Sequence, residues 1–169
     1  ARPDPSIQDV MENPIALAST ATDALVPLLS MSISASSPSS MILGTDGLGI
    51  YRSVNGGASW TLKGLSTSSV RSVVIDPTNA EHWYAATERT GGIYVTSTGG
   101  SSYQFIALPD QSTRIFNVLM ISPSEPGAVY AGTDSGIFRL ENNAWAYLGL
   151  QYHNILTLAV HPTYSNQLY

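Results

Sequence analysis

The chain repeats itself. Three stretches of 18 residues align without a gap: Leu28–Thr45, Val70–Thr87 and Phe116–Thr133. A fourth begins at Ile155 and runs to the last residue, Tyr169. The four starts lie 42, 46 and 39 residues apart. Near-equal units of this length constrain the fold more than any single residue does. Each is one supersecondary unit that buries its apolar surface against a copy of itself.

Every unit reads in the same order. An apolar run such as residues 70–75 comes first, then a turn led by Asp76-Pro77, Ser122-Pro123 or His161-Pro162, with Ser34-Ala35 in the first unit. Proline presets φ for such a turn, and Asp or Ser before it can hydrogen-bond the backbone. A second run ends in Thr45, Thr87 or Thr133, followed by the turns Asp46-Gly47, residues 88–92 and residues 134–136. The third opens on Ile50-Tyr51, Ile93-Tyr94 or Ile137-Phe138, and the fourth starts near Trp60, Tyr103 or Trp145. It closes on Leu62 and Leu65, on Leu108, or on Leu148 and Leu150. The runs are short, β-branched or aromatic, and no long helical periodicity separates them. Four strands in about 40 residues is the period of a propeller blade. The expected fold is therefore all-β, a β-propeller of four-stranded antiparallel blades with strand one innermost. Blades are expected near residues 28–69, 70–115 and 116–154, with an incomplete fourth at 155–169. Because Tyr169 falls inside the second strand of that unit, the natural chain is expected to continue.

Composition removes several functions. Only 11% of residues are charged, Lys plus Arg number 7, and the net charge is −5. The basic surface that neutralises phosphates is missing, which argues against a nucleic-acid partner. The absence of Cys rules out disulfides, thiolate metal sites and a Cys nucleophile. His82, His153 and His161 fall on different parts of the repeat without ligand spacing, so no metal ligand or cofactor is nominated. The longest weakly polar stretch, residues 14–33, contains Asp23 and Pro27 and does not read as a membrane span. Residues 1–27 hold Asp4, Asp9, Glu12 and Asp23 against Arg2, together with Pro3, Pro5, Pro14 and Pro27. They read as an extended acidic arm, either a solvated tail or an arm that docks on a partner. The first residue is Ala, and the single Lys is Lys63. Both point to a processed chain located outside the cytoplasm.

Between strands three and four the first unit has Ser53-Val54-Asn55-Gly56-Gly57-Ala58-Ser59-Trp60. This resembles the Asp-box, or bacterial neuraminidase repeat, of pattern S-x-D-x-G-x-x-W. The second unit carries a looser copy, residues 96–103, with Thr98, Gly100 and Tyr103 at the matching positions. The third keeps Asn142, Asn143 and Trp145 in a shortened turn. Asn55 and Thr98 stand where the family has Asp. The motif reads as a hairpin lock: Ser53 and Asn55 satisfy turn backbone, Gly57 takes positive φ, and Trp60 packs against the blade. The resemblance implies a propeller and no single activity. Asp-box propellers include sialidases, xyloglucanase-type glycoside hydrolases, sortilin-like receptors and photosystem assembly factors.

No residue is nominated as catalytic. A sialidase-like site needs an arginine cluster and a Tyr–Glu pair, and Arg114-Ile115-Phe116 is only an echo of that family's Arg-Ile-Pro. Arg52 and Arg139 share one repeat position and read as blade-packing residues. Asp46, Glu88 and Asp134 each follow the Thr that ends strand two. They belong on one face, as plain turn residues or as a ring of carboxylates facing a basic partner or a cation. Arg89, Asp110, Arg114, Tyr152 and His153 join that face from neighbouring loops, and Tyr and Arg are residues that interfaces favour. The reading drawn from the sequence is a non-catalytic, extracytoplasmic interaction or assembly subunit whose partners are other proteins. The alternative is a carbohydrate-active glycoside hydrolase with catalytic residues partly outside this chain.

Overall fold

The computed structural model describes residues 26–88, 90–110 and 114–169. Within them lie three separate four-stranded antiparallel sheets, each a simple meander. Blade one contains β1 (Leu28–Ile33), β2 (Met41–Thr45), β3 (Ile50–Ser53) and β4 (Thr61–Leu62). Blade two contains β5 (Val70–Asp76), β6 (Asn79–Thr87), β7 (Gly92–Thr96) and β8 (Gln104–Ala107). Blade three contains β9 (Phe116–Ser122), β10 (Glu125–Thr133), β11 (Gly136–Glu141) and β12 (Ala144–Gly149). The first strands are innermost: β5 packs between β1 and β9. Hydroxyls tie them together. Ser32 Oγ accepts the Ile75 N–H at 3.0 Å, and Ser72 Oγ accepts the Leu119 N–H at 2.9 Å. The chain is a partial β-propeller.

Most of the core lies between blades. Ile42 and Ile50 of blade one pack on Val70, Val73, Trp83 and Ala85 of blade two. On the other side of blade two, Tyr84, Ala86, Ile93 and Leu108 pack on Phe116, Leu119, Val129 and Phe138 of blade three. Side chains alternate across a strand, so each sheet presents two apolar faces and needs a neighbour on both. β1 lacks one among the described residues. Its Leu28, Met31 and Ile33 are 45%, 57% and 49% exposed, against 0%, 3% and 6% for the matching Val70, Val73 and Ile75.

Residues 155–169 differ from the three complete blades. They make one hairpin held by a single bridge, Val160 with Leu168, rather than two full strands. That pair has the register of Ile75 with Trp83 and of Ile121 with Val129. The hairpin packs on blade three, where Leu158, Ile155 and Leu168 meet Tyr130 and Ile137.

Close stacking demands a small residue where strand two passes beneath the next blade. The repeat supplies Gly44, Ala86 and Gly132 there. A Cβ on Gly44 would stand 2.5 Å from the Val70 carbonyl oxygen, and one on Gly132 2.7 Å from Ile155 Cγ2. Gly44→Ala is therefore expected to destabilise the chain by about 1–3 kcal/mol, the usual cost of overpacking. Urea denaturation checks it, and an unchanged midpoint would show that the blades can separate without loss.

Candidate functional site

The hairpins between strands three and four form one end of each blade. In blade one, Ser53 Oγ accepts the N–H groups of Asn55 (3.3 Å) and Gly57 (2.9 Å) and donates to Asn55 Oδ1. Asn55 Oδ1 also accepts the Ser59 N–H at 2.9 Å, and Asn55 Nδ2 donates to Ser59 Oγ. Blade two builds the same net from hydroxyls alone. Thr96 Oγ1 accepts the N–H groups of Thr98 and Gly100, and Thr98 Oγ1 accepts that of Ser102. Gly57 and Gly100 take φ of +91° and +80°. Blade three closes instead on Asn142 and Asn143, both at positive φ, the two-residue turn that matches strand twist.

In blades two and three the aromatic that follows the hairpin faces the preceding blade. Tyr103 packs into the core between blades one and two, and Trp145 into that between two and three. Trp60, with no earlier blade beside it among the described residues, is 5% exposed and packs on Leu43, Tyr51 and Met41 of its own sheet. Trp60→Ala is expected to cost about 3–5 kcal/mol, as large aromatic truncations in cores do. A thermal melt that barely moves would place Trp60 among dispensable surface residues.

Arg52 crosses the blade boundary, pairing bidentately with Glu81 and lying 5.3 Å over the Trp83 ring. Its hydrogen bonds hold the Glu81 carboxyl below the usual range. Arg139, at the same repeat position, stays in blade three with Glu125 and Glu141. The next unit has Asn166 where blade two has Glu81, so no carboxylate waits across that boundary. Burial raises the Asp76 pKa, but hydrogen bonds from the Thr78 hydroxyl and N–H, with His82 beside it, outweigh burial and leave it lowered.

The opposite face gathers the turns after strand two and the loops between blades. Asp46, Glu88 and Asp134 occupy equivalent places: their N–H groups bond the carbonyls of Pro27, Ser69 and Ile115, each just before a first strand. Their carboxylates differ. Asp46 accepts from the Ser69 hydroxyl, Glu88 pairs with Arg71 at 2.8 Å, and one oxygen of Asp134 is buried without a partner among the described residues. Beneath them Thr45 Oγ1 donates to the Gly49 carbonyl and Thr133 Oγ1 to that of Gly136, while Thr87 reaches Gly92 through Thr90. Tyr152 is 84% exposed, and the His153 ring lies beside the Gln151 carbonyl. Arg89 lies outside the described residues, as does the acidic arm up to residue 25.

Arg114 is held firmly. It pairs with Asp110 at 3.1 Å, reaches the Ser135 carbonyl at 3.5 Å and lies 5.5 Å over the Phe138 ring. With Trp145, Tyr147, Pro109 and Gln151 these groups line a pocket of about 350 Å³. The sequence reading named Asp110, Arg114 and Trp145 but not the pocket, because Phe138 and Tyr147 read only as strand residues. It also passed over a repeated loop, Gly64-Leu65 and Gly149-Leu150, whose four residues all have positive φ. Among the described residues no group of three or more His, Asp or Glu is placed to hold a metal ion, and no helix is long and apolar enough to cross a membrane.

Comparison with solved structures finds propellers. The GH74 enzyme of Niastella koreensis superposes with a TM-score of 0.67 and 23% identity over 82% of this chain and 24% of its own. YCF48 bound to D1 peptide gives 0.64 and 20%, over 86% of this chain and 47% of its own. The Myceliophteria thermophila Cps50 (Swd1) β-propeller domain gives 0.58 and 13%, over 80% and 46%. The shared property is the fold. This chain thus spans from a quarter to a half of those chains. No protein-family model and no curated protein matches it.

Proposed function

We propose that the chain is a non-catalytic interaction module of the Asp-box kind, part of a larger propeller that binds other protein subunits through the loop face. The observation that carries this reading is the convergence on one face of Asp46, Glu88 and Asp134, the Arg114–Asp110 pair and the fully presented Tyr152. Acidic groups there favour a basic partner, steering its approach more than they hold it. One propeller of this fold, YCF48, is described with a bound D1 peptide, which supports peptide capture by such a scaffold. Replacing Asp46 and Asp134 by Asn and Glu88 by Gln is expected to slow association about tenfold at low salt and to leave thermal stability nearly unchanged. Co-purification from native material followed by stopped-flow mixing measures it. A complex that forms equally fast, through another surface, would remove this face from the reading.

The reading includes a location outside the cytoplasm. It rests on the scarcity of Lys and on the habit of the resembling family. The gene sequence upstream of Ala1 is expected to encode an export signal; an initiator Met directly before Ala1 would overturn it. A second reading, a glycoside hydrolase, is favoured by the likeness to GH74 enzymes. Cleavage of a glycan by the purified full-length protein would put that reading first.

A further inference from the structure

The pocket beside Arg114 has a chemistry that the rest of the loop face lacks. Its aromatic wall comes from blade three: Phe138 on β11, and Trp145 and Tyr147 on β12. The Phe138 and Trp145 rings meet edge to face, 6.3 Å apart and inclined by 87°, and Tyr147 sits 5.2 Å from Phe138. The other wall comes from Pro109, Asp110 and Arg114, which lie between β8 and β9. The aromatic positions recur in blade two as Tyr94, Tyr103 and Phe105. The ion pair does not recur, since the residues matching Arg114 in the earlier units are Val26 and Ser68. At this junction a repeat-encoded aromatic cluster thus has a polar rim that Val26 and Ser68 do not supply at the matching places.

Charge decides what fits. Arg114 is committed to Asp110, the Ser135 carbonyl and the Phe138 ring, so the pocket is electrically balanced, and the adjoining turn adds the carboxylate of Asp134. A carboxylate would have to displace Asp110 from Arg114, and an amine would have to displace Arg114 from Asp110. An uncharged ring displaces neither. It gains ring contacts worth about 0.5–1.5 kcal/mol beyond area burial. Tyr147 is 48% exposed, and the buried Trp145 Nε1–H has no partner among the described residues. Trp, Tyr and Arg walls around a side-chain-sized recess are the composition of an interface hot spot. The volume lies at the small end of ligand sites, which suits a single anchor.

We propose that this pocket seats one uncharged aromatic side chain of a partner protein, anchoring a segment whose flanks are basic. The proposal rests on the interaction reading above. It is tested with N-acetyl-tyrosinamide as probe, followed through the indole N–H resonances of Trp60, Trp83 and Trp145 in the 15N-labelled full-length protein. Saturable movement of the Trp145 resonance, with Trp60 and Trp83 still, is the expected result. Tyr147→Ala should weaken that binding at least fivefold while leaving the Trp60 and Trp83 resonances in place, which shows that the variant is folded. No saturable movement up to the solubility limit would overturn the proposal. So would movement caused by cellobiose or acetate and not by the amide, marking a glycan or an anion site. A partner complex that forms equally well with Tyr147→Ala would overturn the anchoring role and leave the loop-face reading standing. A pocket that takes the amide, in a protein that joins no complex, would sustain the pocket and remove the interaction reading.

Discussion

Everything in this chain depends on one sheet lying flat against the next. A four-stranded blade with alternating side chains has two apolar faces and cannot shield either alone. Three of the four clusters of buried residues accordingly draw on two consecutive units. The small residues at Gly44, Ala86 and Gly132 follow from this, because the second strand of one blade lies under the first strand of the next. Blade one shows the same rule from the other side. Where no blade precedes it among the described residues, β1 keeps its apolar side chains in solvent and Trp60 folds onto its own sheet.

The hairpin nets show which part of a motif is physical necessity. What the turn needs is an acceptor for its own N–H groups, in the right place, with glycines free to take positive φ. Asn55 supplies that acceptor with an amide oxygen and Thr98 with a hydroxyl, and both keep the same backbone path. Neither residue puts a charge on the turn. Blade three abandons the net altogether, and two asparagines at positive φ perform the reversal in fewer residues. Chemical identity at these positions is therefore looser than geometry.

That difference sets how much could be read from the sequence. The propeller fold was legible because it rests on periodicity: three aligned runs start where β1, β5 and β9 start. The direction of the aromatic after each hairpin was not legible. A one-dimensional pattern gives the face of a strand but not which neighbour covers it. Arg52 and Arg139 make the same point, since equivalent positions bridge or fail to bridge according to whether Glu81 or Asn166 lies opposite. On the candidate site, the equivalence of Asp46, Glu88 and Asp134 is a repeat property and was visible. Their different partners, Ser69 for Asp46 and Arg71 for Glu88, come from residues that do not repeat.

Specific recognition has to arise where the repeat is broken, because identical blades offer identical surfaces. The hairpin end is tied by bonds that two blades share, and the threonines under the opposite turns do the same work in all three. These ties leave the connections between blades as the parts able to vary. The link from blade two to blade three uses that freedom: it brings Asp110 and Arg114 over aromatics that the repeat had already placed. The blade-one link, by contrast, runs through Gly64 and Leu65, and Leu65 turns into the core instead. The scaffold thus fixes the aromatic wall, and one non-repeating loop converts it into a recess with a defined electrostatic character.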